Sequence, residues 1–513
     1  MPAVRRASYA DAMRAWFAGE FETCLALCEA IPRRDLETRS EAALLRARAL
    51  LRLGRPGAAR EAVLAAFVAH RGLDRSLTAQ QLLGSAEVRL GDVDAGLARL
   101  DAAAEGASRE GAHVAVRSEI ALQRGLAFYV RRDLDGALAA LAAVEPGTDI
   151  IAARAAEYRG WTHCARGDFA EAIVAFASVL RLLDECRHRD RHLEATALQQ
   201  LSHLAAERLD RELWSFVLER AHRLDWSADG LASPRFWITL NATLVEEVDG
   251  DIIGALRGAE RAEELSPTPA LRALATCRRA AIARAAGETF GPYLILEKAR
   301  AAFGALEPDE LRGDDRGVAL ALAEETAAFG DVDGARSLFA RYDGLRPERT
   351  HSAGGDPRQT AYEQLVAGAI AEAAASVDVA VAAYSAALRG FRAAGYQLRA
   401  AIAGAALVRL GAEGDGREAV QEAARGAARL SWLGLEAAAL EREAAAPAWP
   451  KLTPVQAEVL ALLAAGHANH EIASRRGRSE QTIKNTVCRL IDLFGARSRG
   501  DLISRCMRAG YRR

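Results

Sequence analysis

Gly167-Asp168-Phe169-Ala170-Glu171-Ala172 is the stretch on which the reading of the first 440 residues turns. An apolar helical pattern runs up to Gly167, and a second, alanine-containing one begins after Asp168. A glycine can close a helix in the left-handed conformation, and an acid just beyond it favours the positive end of the next helix. The small alanine then lets the two helices approach closely. The same phrase recurs at Gly19-Glu-Phe-Glu22, Gly91-Asp-Val-Asp94, Gly250-Asp-Ile-Ile-Gly-Ala255 and Gly330-Asp-Val-Asp-Gly-Ala335. Looser copies stand at Gly54-Arg-Pro-Gly-Ala58, Arg132-Asp-Leu-Asp-Gly-Ala137 and Gly287-Glu-Thr-Phe290.

Gly19, Gly54, Gly91, Arg132 and Gly167 are separated by 35, 37, 41 and 35 residues. That period accommodates two short helices and two turns, and predicts an all-α stack of helical hairpins from about Ser8 to Leu440. The pattern resembles the tetratricopeptide repeat (TPR), in which antiparallel helix pairs stack into a solenoid. The match is partial: the aromatic and glycine signature appears only in pieces, such as Trp161 ahead of Gly167. The resemblance implies a surface that takes a peptide, a partner helix or a small molecule.

Two breaks divide the chain. Arg346-Pro-Glu-Arg-Thr-His-Ser-Ala-Gly-Gly-Asp-Pro357 is rich in turn formers, separating repeats over 1–345 from further repeats over 346–443. Ala444-Ala-Ala-Pro-Ala-Trp-Pro450 opens a short, stiff linker, 444–451, before a tail domain over 452–513.

The tail opens with a capping box: Thr453 as N-cap, Pro454 in the first turn and Gln456 three residues after the cap. Val455, Val459, Leu460 and Leu463 are expected to form the buried face of this helix, with Gly466 ending it. A second helix is predicted over about Asn469 to Arg475, contributing Ile472 and Ala473 to the core. After the turn Arg476-Gly-Arg-Ser479, Ser479 caps a third helix over about Glu480 to Phe494. Ile483, Val487, Leu490, Ile491 and Phe494 share one face of it. Gln481, Asn485, Cys488, Arg489 and Asp492 lie opposite, with Lys484 on the flank. Amide and cationic groups of that kind read base edges in the major groove. A fourth helix, Ser498 to Ala509, is expected to pack through Leu502, Ile503 and Cys506.

Leu452-Thr453, Glu458-Val459-Leu460, Gly466, Asn469, Glu471-Ile472-Ala473, Ser479, Thr482 to Asn485, Val487, Leu493-Phe494-Gly495, Arg497 to Arg499 and Leu502 together resemble the LuxR-type four-helix DNA-binding domain. The resemblance implies that the third helix enters the major groove. There, positions matching Lys484, Asn485 and Cys488 face bases, while those matching Thr482 and Arg499 meet the backbone. It also implies a dimer formed through the last helix and reading two half-sites. The expected DNA-contacting set is Arg475, Arg476, Arg478, Ser479, Gln481, Thr482, Lys484, Asn485, Cys488, Arg489, Arg497 and Arg499. Arg475, Arg476 and Arg478 suit phosphate better than bases. The tail departs from the pattern at Pro454 to Ala457, at Thr486 and Cys488, and at Arg476 and Arg478, where apolar residues are commoner. Those arginines either weaken the packing of the second helix or add phosphate contacts.

Charge is segregated in the same sense. Lys451 to Arg513 carries 12 basic and 5 acidic residues, a net of +7, which leaves −9 on the remainder of the chain. A basic domain on an acidic body is the footprint of one part meeting a polyanion. The seven cysteines are scattered, which suits reduced thiols in a cytoplasmic protein, and no apolar run is long enough for a membrane span. Cys24 and Cys28, one turn apart, are expected to line a repeat core. Cys186, His188 and His192 have metal-ligand spacing, but Arg187, Arg189 and Arg191 oppose a cation, so no metal is expected. None of the three lysines follows a glycine, so there is no phosphate-binding loop, and no catalytic constellation or cofactor is expected. The sequence therefore predicts a non-enzymatic transcription regulator. Its partners would be double-stranded DNA, an effector or protein on the repeats, and a second copy of itself. The alternative is a repeat scaffold whose tail no longer binds specific DNA.

Overall fold

At every one of the eight phrases the backbone turns through the left-handed region. Gly19, Gly54, Gly91, Gly167, Gly250, Gly287 and Gly330 have φ between 70° and 97°, and Arg132 has φ 66°. The computed structural model describes residues 8–503 apart from 18, 32–35, 67–71, 147–149, 187–189, 228–229, 289–290, 312, 346–356, 413, 426, 428–430, 446–451, 466, 495, 497–498 and 500–501. No strand occurs among the described residues. Two compact units divide the chain, Met1–Gly434 and Leu435–Arg513.

The first unit is a succession of eleven antiparallel helix pairs among the described residues. The first four are Tyr9–Phe17 with Phe21–Ala30, Leu36–Arg52 with Pro56–Ala65, Leu73–Arg89 with Val93–Glu110, and Val114–Val130 with Leu134–Ala142. Next come Ile150–Arg166 with Phe169–Glu185, Arg191–Arg208 with Arg211–Arg223, Ala232–Val248 with Ile252–Leu265, and Pro269–Ala285 with Gly291–Gly304. The last three are Val318–Ala328 with Val332–Gly344, Pro357–Ala373 with Val377–Ala393, and Gln397–Arg409 with Asp415–Ala424. Helix Trp432–Ala445 follows.

At four of these turns the aspartate does more than favour a helix dipole. The N–H groups of Ala95, Gly136, Gly254 and Gly334 donate to the carboxylates of Asp92, Asp133, Asp251 and Asp331, at 2.9 to 3.3 Å. Each aspartate is thus the N-cap of its second helix. The bonds from Gly136 and Gly334 hold Asp133 and Asp331 below the usual carboxylate range. Asp168, in the phrase that reads most clearly, makes no such bond and pairs with Arg166 Nε at 3.1 Å.

A second register, not apparent in the turn phrases, sets the spacing within several pairs. A small residue in the first helix faces a small residue near the start of the second and a larger one a turn later. Gly125, Ala137 and Leu141 form one such set, Gly160, Ala172 and Phe176 another, and Gly368, Ala380 and Tyr384 a third. A Cβ on Gly160 would lie 2.7 Å from the Phe176 ring, so the glycine makes room for the aromatic side chain. Ala12, Cys24 and Cys28 of the first hairpin have the same spacing and are all buried in one cluster.

The core runs across the break at 346–356: Val366 and Ile370 belong to the same buried cluster as Phe303, Leu320 and Tyr342. The largest cluster joins hairpins far apart in sequence, with Phe176, Leu183 and Leu198 in the same buried cluster as Leu365, Phe391 and Tyr396. The sixth hairpin meets the eleventh here. Tyr396 packs on Phe169 with ring centroids 5.0 Å apart, and its hydroxyl lies 3.1 Å from His203 Nε2. Arg399 Nε donates to Glu207 Oε1 at 3.1 Å, and its guanidinium lies 4.7 Å from the Tyr362 ring. Burial alone would pull the Arg399 guanidinium down, but Glu207, Tyr362 and Glu324 hold it above its ordinary value.

Candidate nucleic-acid interface

The tail begins as its capping box requires. Gln456 N–H donates to Thr453 Oγ1 at 3.3 Å, and Thr453 N–H donates to Gln456 Oε1 at 2.9 Å, with Pro454 in the first turn. Helix Pro454–Ala464 follows. Thr453→Ala removes the bond that Thr453 Oγ1 accepts and is expected to lower tail stability by about 1 kcal/mol. Hydrogen exchange of the amides over 454–464 in the full chain measures that loss, and unchanged protection would refute it.

Val455 corrects the expected buried face: it is 48% exposed, whereas Val459, Leu460 and Leu463 are fully buried. It stands in the first turn, where the apolar contact to the core comes instead from Leu452.

Helix Asn469–Arg476 is held at its start by Glu471, whose carboxylate accepts from Ala468 N–H at 2.8 Å. That bond, with His467 nearby, keeps Glu471 below the usual carboxylate range. Gly477, with φ 59°, ends the helix in the left-handed conformation and gives the turn its direction. Ser479 Oγ then accepts from Thr482 N–H at 3.2 Å and caps helix Glu480–Leu493. Ile483, Val487 and Leu490 of this helix are buried against Leu460, Leu463, Ile472 and Ala473, with Ile491 and Phe494 partly buried beside them. Leu502 is fully buried in the same core. Of the expected fourth helix only 499, 502 and 503 are described. Gly466, Arg497 and Cys506 lie outside the described residues.

One face of Glu480–Leu493 therefore anchors the domain, and the other is open. Gln481, Lys484, Asn485, Cys488 and Arg489 are all exposed, as are Ser479 and Thr482 at its start. Arg475 and Arg478 flank the same end and are exposed too. Among the described residues Arg475, Arg478, Lys484 and Arg489 make no ion pair, so these four exposed cations are open to a polyanion.

Two members of the expected contact set have work inside the domain. The Arg476 guanidinium pairs with Glu458 of the first helix, and its side chain is only 16% exposed. The pair ties the second helix to the first. Arg499 donates to Asn469 Oδ1 at 2.7 Å and to the His467 carbonyl, fastening the chain after the third helix to the start of the second. The sequence carries no signal for either pair, because the partners are 18 and 30 residues apart and on different elements.

Residues 450–506 match the family described as bacterial regulatory proteins, luxR family. The tail is a LuxR-family domain. No curated protein matches the chain in sequence. Among solved structures, the chain is similar to the apo form of the quorum sensor NprR from B. thuringiensis. That likeness has 12% identity and a TM-score of 0.41, covering 75% of this chain and 97% of that one. It is also similar to the apo form of RapI, with 11% identity and a TM-score of 0.40, over 80% and 99% of the two chains. A third likeness is to a tetratricopeptide repeat protein from Parabacteroides merdae, with 11% identity and a TM-score of 0.30, over 61% and 94%. The TPR-like reading of the first unit rests on its own hairpins. The LuxR-family domain implies a DNA-binding regulator. No helix among the described residues is long and apolar enough to cross a membrane, and no group of three or more potential ligands there could hold a metal. His188, which the sequence groups with Cys186 and His192, lies outside the described residues.

Proposed function

We propose that the chain is a transcription regulator whose LuxR-family domain places helix Glu480–Leu493 in the major groove of promoter DNA. In this reading two copies bind two half-sites, and the TPR-like hairpins bind the effector or protein partner that controls them. One observation carries the DNA reading: the outward face of a capped, core-anchored helix presents Gln481, Lys484, Asn485 and Arg489, all exposed. Amides on that face suit base edges, and cations suit guanine or phosphate. Arg475, Arg478, Ser479 and Thr482 lie at the end nearest the backbone, and Cys488 offers a small weakly polar contact at the centre. Arg476 and Arg499 support the interface by holding the helices in register.

A salt titration of the full chain on duplex DNA tests this. Affinity is expected to fall steeply with salt, and Lys484→Ala with Arg489→Ala to reduce the slope by about 2, one for each phosphate no longer neutralised. A preference for selected over random duplex should accompany the slope. Equal and weak binding by parent and variant would defeat the proposal, leaving a repeat scaffold with an inert tail.

A further inference from the structure

On the outward face of Glu480–Leu493, Gln481 Nε2 donates to Asn485 Oδ1 at 3.0 Å. Both side chains are exposed, and they stand one helical turn apart, the spacing at which side chains on a helix meet. A lone exposed amide turns over freely and offers either its oxygen or its nitrogen to a base. The bond biases both amides toward one orientation.

The inventory of what remains is specific. An amide nitrogen carries two hydrogens. One hydrogen of Gln481 is taken by Asn485, which leaves Gln481 with one N–H and a carbonyl oxygen that has no side-chain partner among the described residues. Asn485 keeps both of its own hydrogens, and its oxygen is turned toward Gln481 with one of its two lone pairs occupied. A carbonyl oxygen beside one N–H is the pair of groups that an adenine meets with its N6 donor and N7 acceptor. With its oxygen turned toward Gln481, Asn485 presents chiefly its NH2 group, which suits acceptors such as a purine N7 or a thymine O4.

We infer that Gln481 is the adenine-reading residue of this domain and that Asn485 is its positioning residue. Asn485 fixes the Gln481 amide so that its oxygen and remaining N–H face one adenine. The inference rests on the proposed placement of this helix in the major groove. It assigns the leading base contact to Gln481, one turn before Asn485, which with Lys484 and Cys488 is among the positions that the family resemblance implies face bases.

Selection of bound duplexes from a random pool with the full chain, followed by affinity measurements on the selected site, tests it. The parent should select one position as A·T, and replacing that pair with G·C should weaken binding about tenfold or more. Gln481→Ala should abolish the preference at that position while leaving the others. Asn485→Ala should reduce the preference at the same position, and Asn485→Asp, which keeps an acceptor oxygen, should restore it. The double variant should discriminate no less well there than Gln481→Ala alone. If Asn485→Ala instead alters a different base pair, with effects additive to those of Gln481→Ala, the two residues read independently and the inference fails. Failure of the parent to select any sequence would instead defeat the major-groove placement itself.

Discussion

Arg399→Ala is expected to destabilise the repeat unit by about 3 to 5 kcal/mol, as removal of one partner from a buried ion pair does. Glu207 is the reason. Its side chain is only 2% exposed, and Arg399 is the cation that meets it, at 3.1 Å. Loss of the guanidinium leaves a carboxylate deep between the sixth and eleventh hairpins. It also strips the Tyr362 ring of its cationic neighbour and Glu324 of a charge 3.8 Å away. Denaturant unfolding of the full chain reads the loss, with hydrogen exchange over 191–208 and 397–409 locating it. Arg181→Ala makes the comparison: that arginine and its partner Glu185 are each 64% exposed, and its removal is expected to change stability by less than about 1 kcal/mol. A second comparison removes both charges, Arg399→Met with Glu207→Leu, and should regain much of the loss because no ion is left unpaired. If Arg399→Ala behaves like Arg181→Ala, the contact between the two hairpins is incidental.

Gly404→Ala is the second large effect, expected at about 1 to 3 kcal/mol destabilising or beyond. A Cβ there would lie 2.5 Å from the Gly416 carbonyl oxygen, and one on Gly416 would lie 2.8 Å from the Gly404 oxygen. Both obstacles are backbone, so no side chain can swing aside and the two helices must separate. Alanine's better helix propensity, about 1 kcal/mol over glycine, opposes the clash without cancelling it. Gly304→Ala, at the last position of helix Gly291–Gly304, puts nothing within 4 Å of the new methyl group and should be neutral or slightly stabilising. Equal effects at the two positions would show that close approach does not decide the spacing of the last hairpin.

Local chemistry is legible in the sequence, and distant pairing is not. Turns announced by glycine and an acid, such as Gly91-Asp92 and Gly330-Asp331, stand where the phrase places them. The turns at Leu209-Asp210 and Ala375-Ser376 escape the phrase because Leu209 and Ala375 take the left-handed conformation that usually advertises itself as glycine, with φ 56° and 55°. Asp210 still caps its helix, accepting from Leu213 N–H at 3.0 Å, so the acid alone could mark the site. In the tail, caps and the buried face of Glu480–Leu493 follow from spacing. The roles of Arg476 and Arg499 do not, because an arginine's partner depends on which helix lies beside it. The Arg399–Glu207 pair, 192 residues apart, leaves no trace in local periodicity.

The meeting of the sixth and eleventh hairpins also bears on how this chain could have evolved. Repeat stacks in which each unit touches only its neighbours gain or lose units readily, since deletion costs little beyond one joint. Between Arg191 and Arg409 that freedom is gone: removing or inserting one hairpin would carry Arg399 away from Glu207 and Tyr396 from His203. Homologous chains should therefore hold repeat number constant from the fifth hairpin, whose Phe169 packs on Tyr396, to the eleventh.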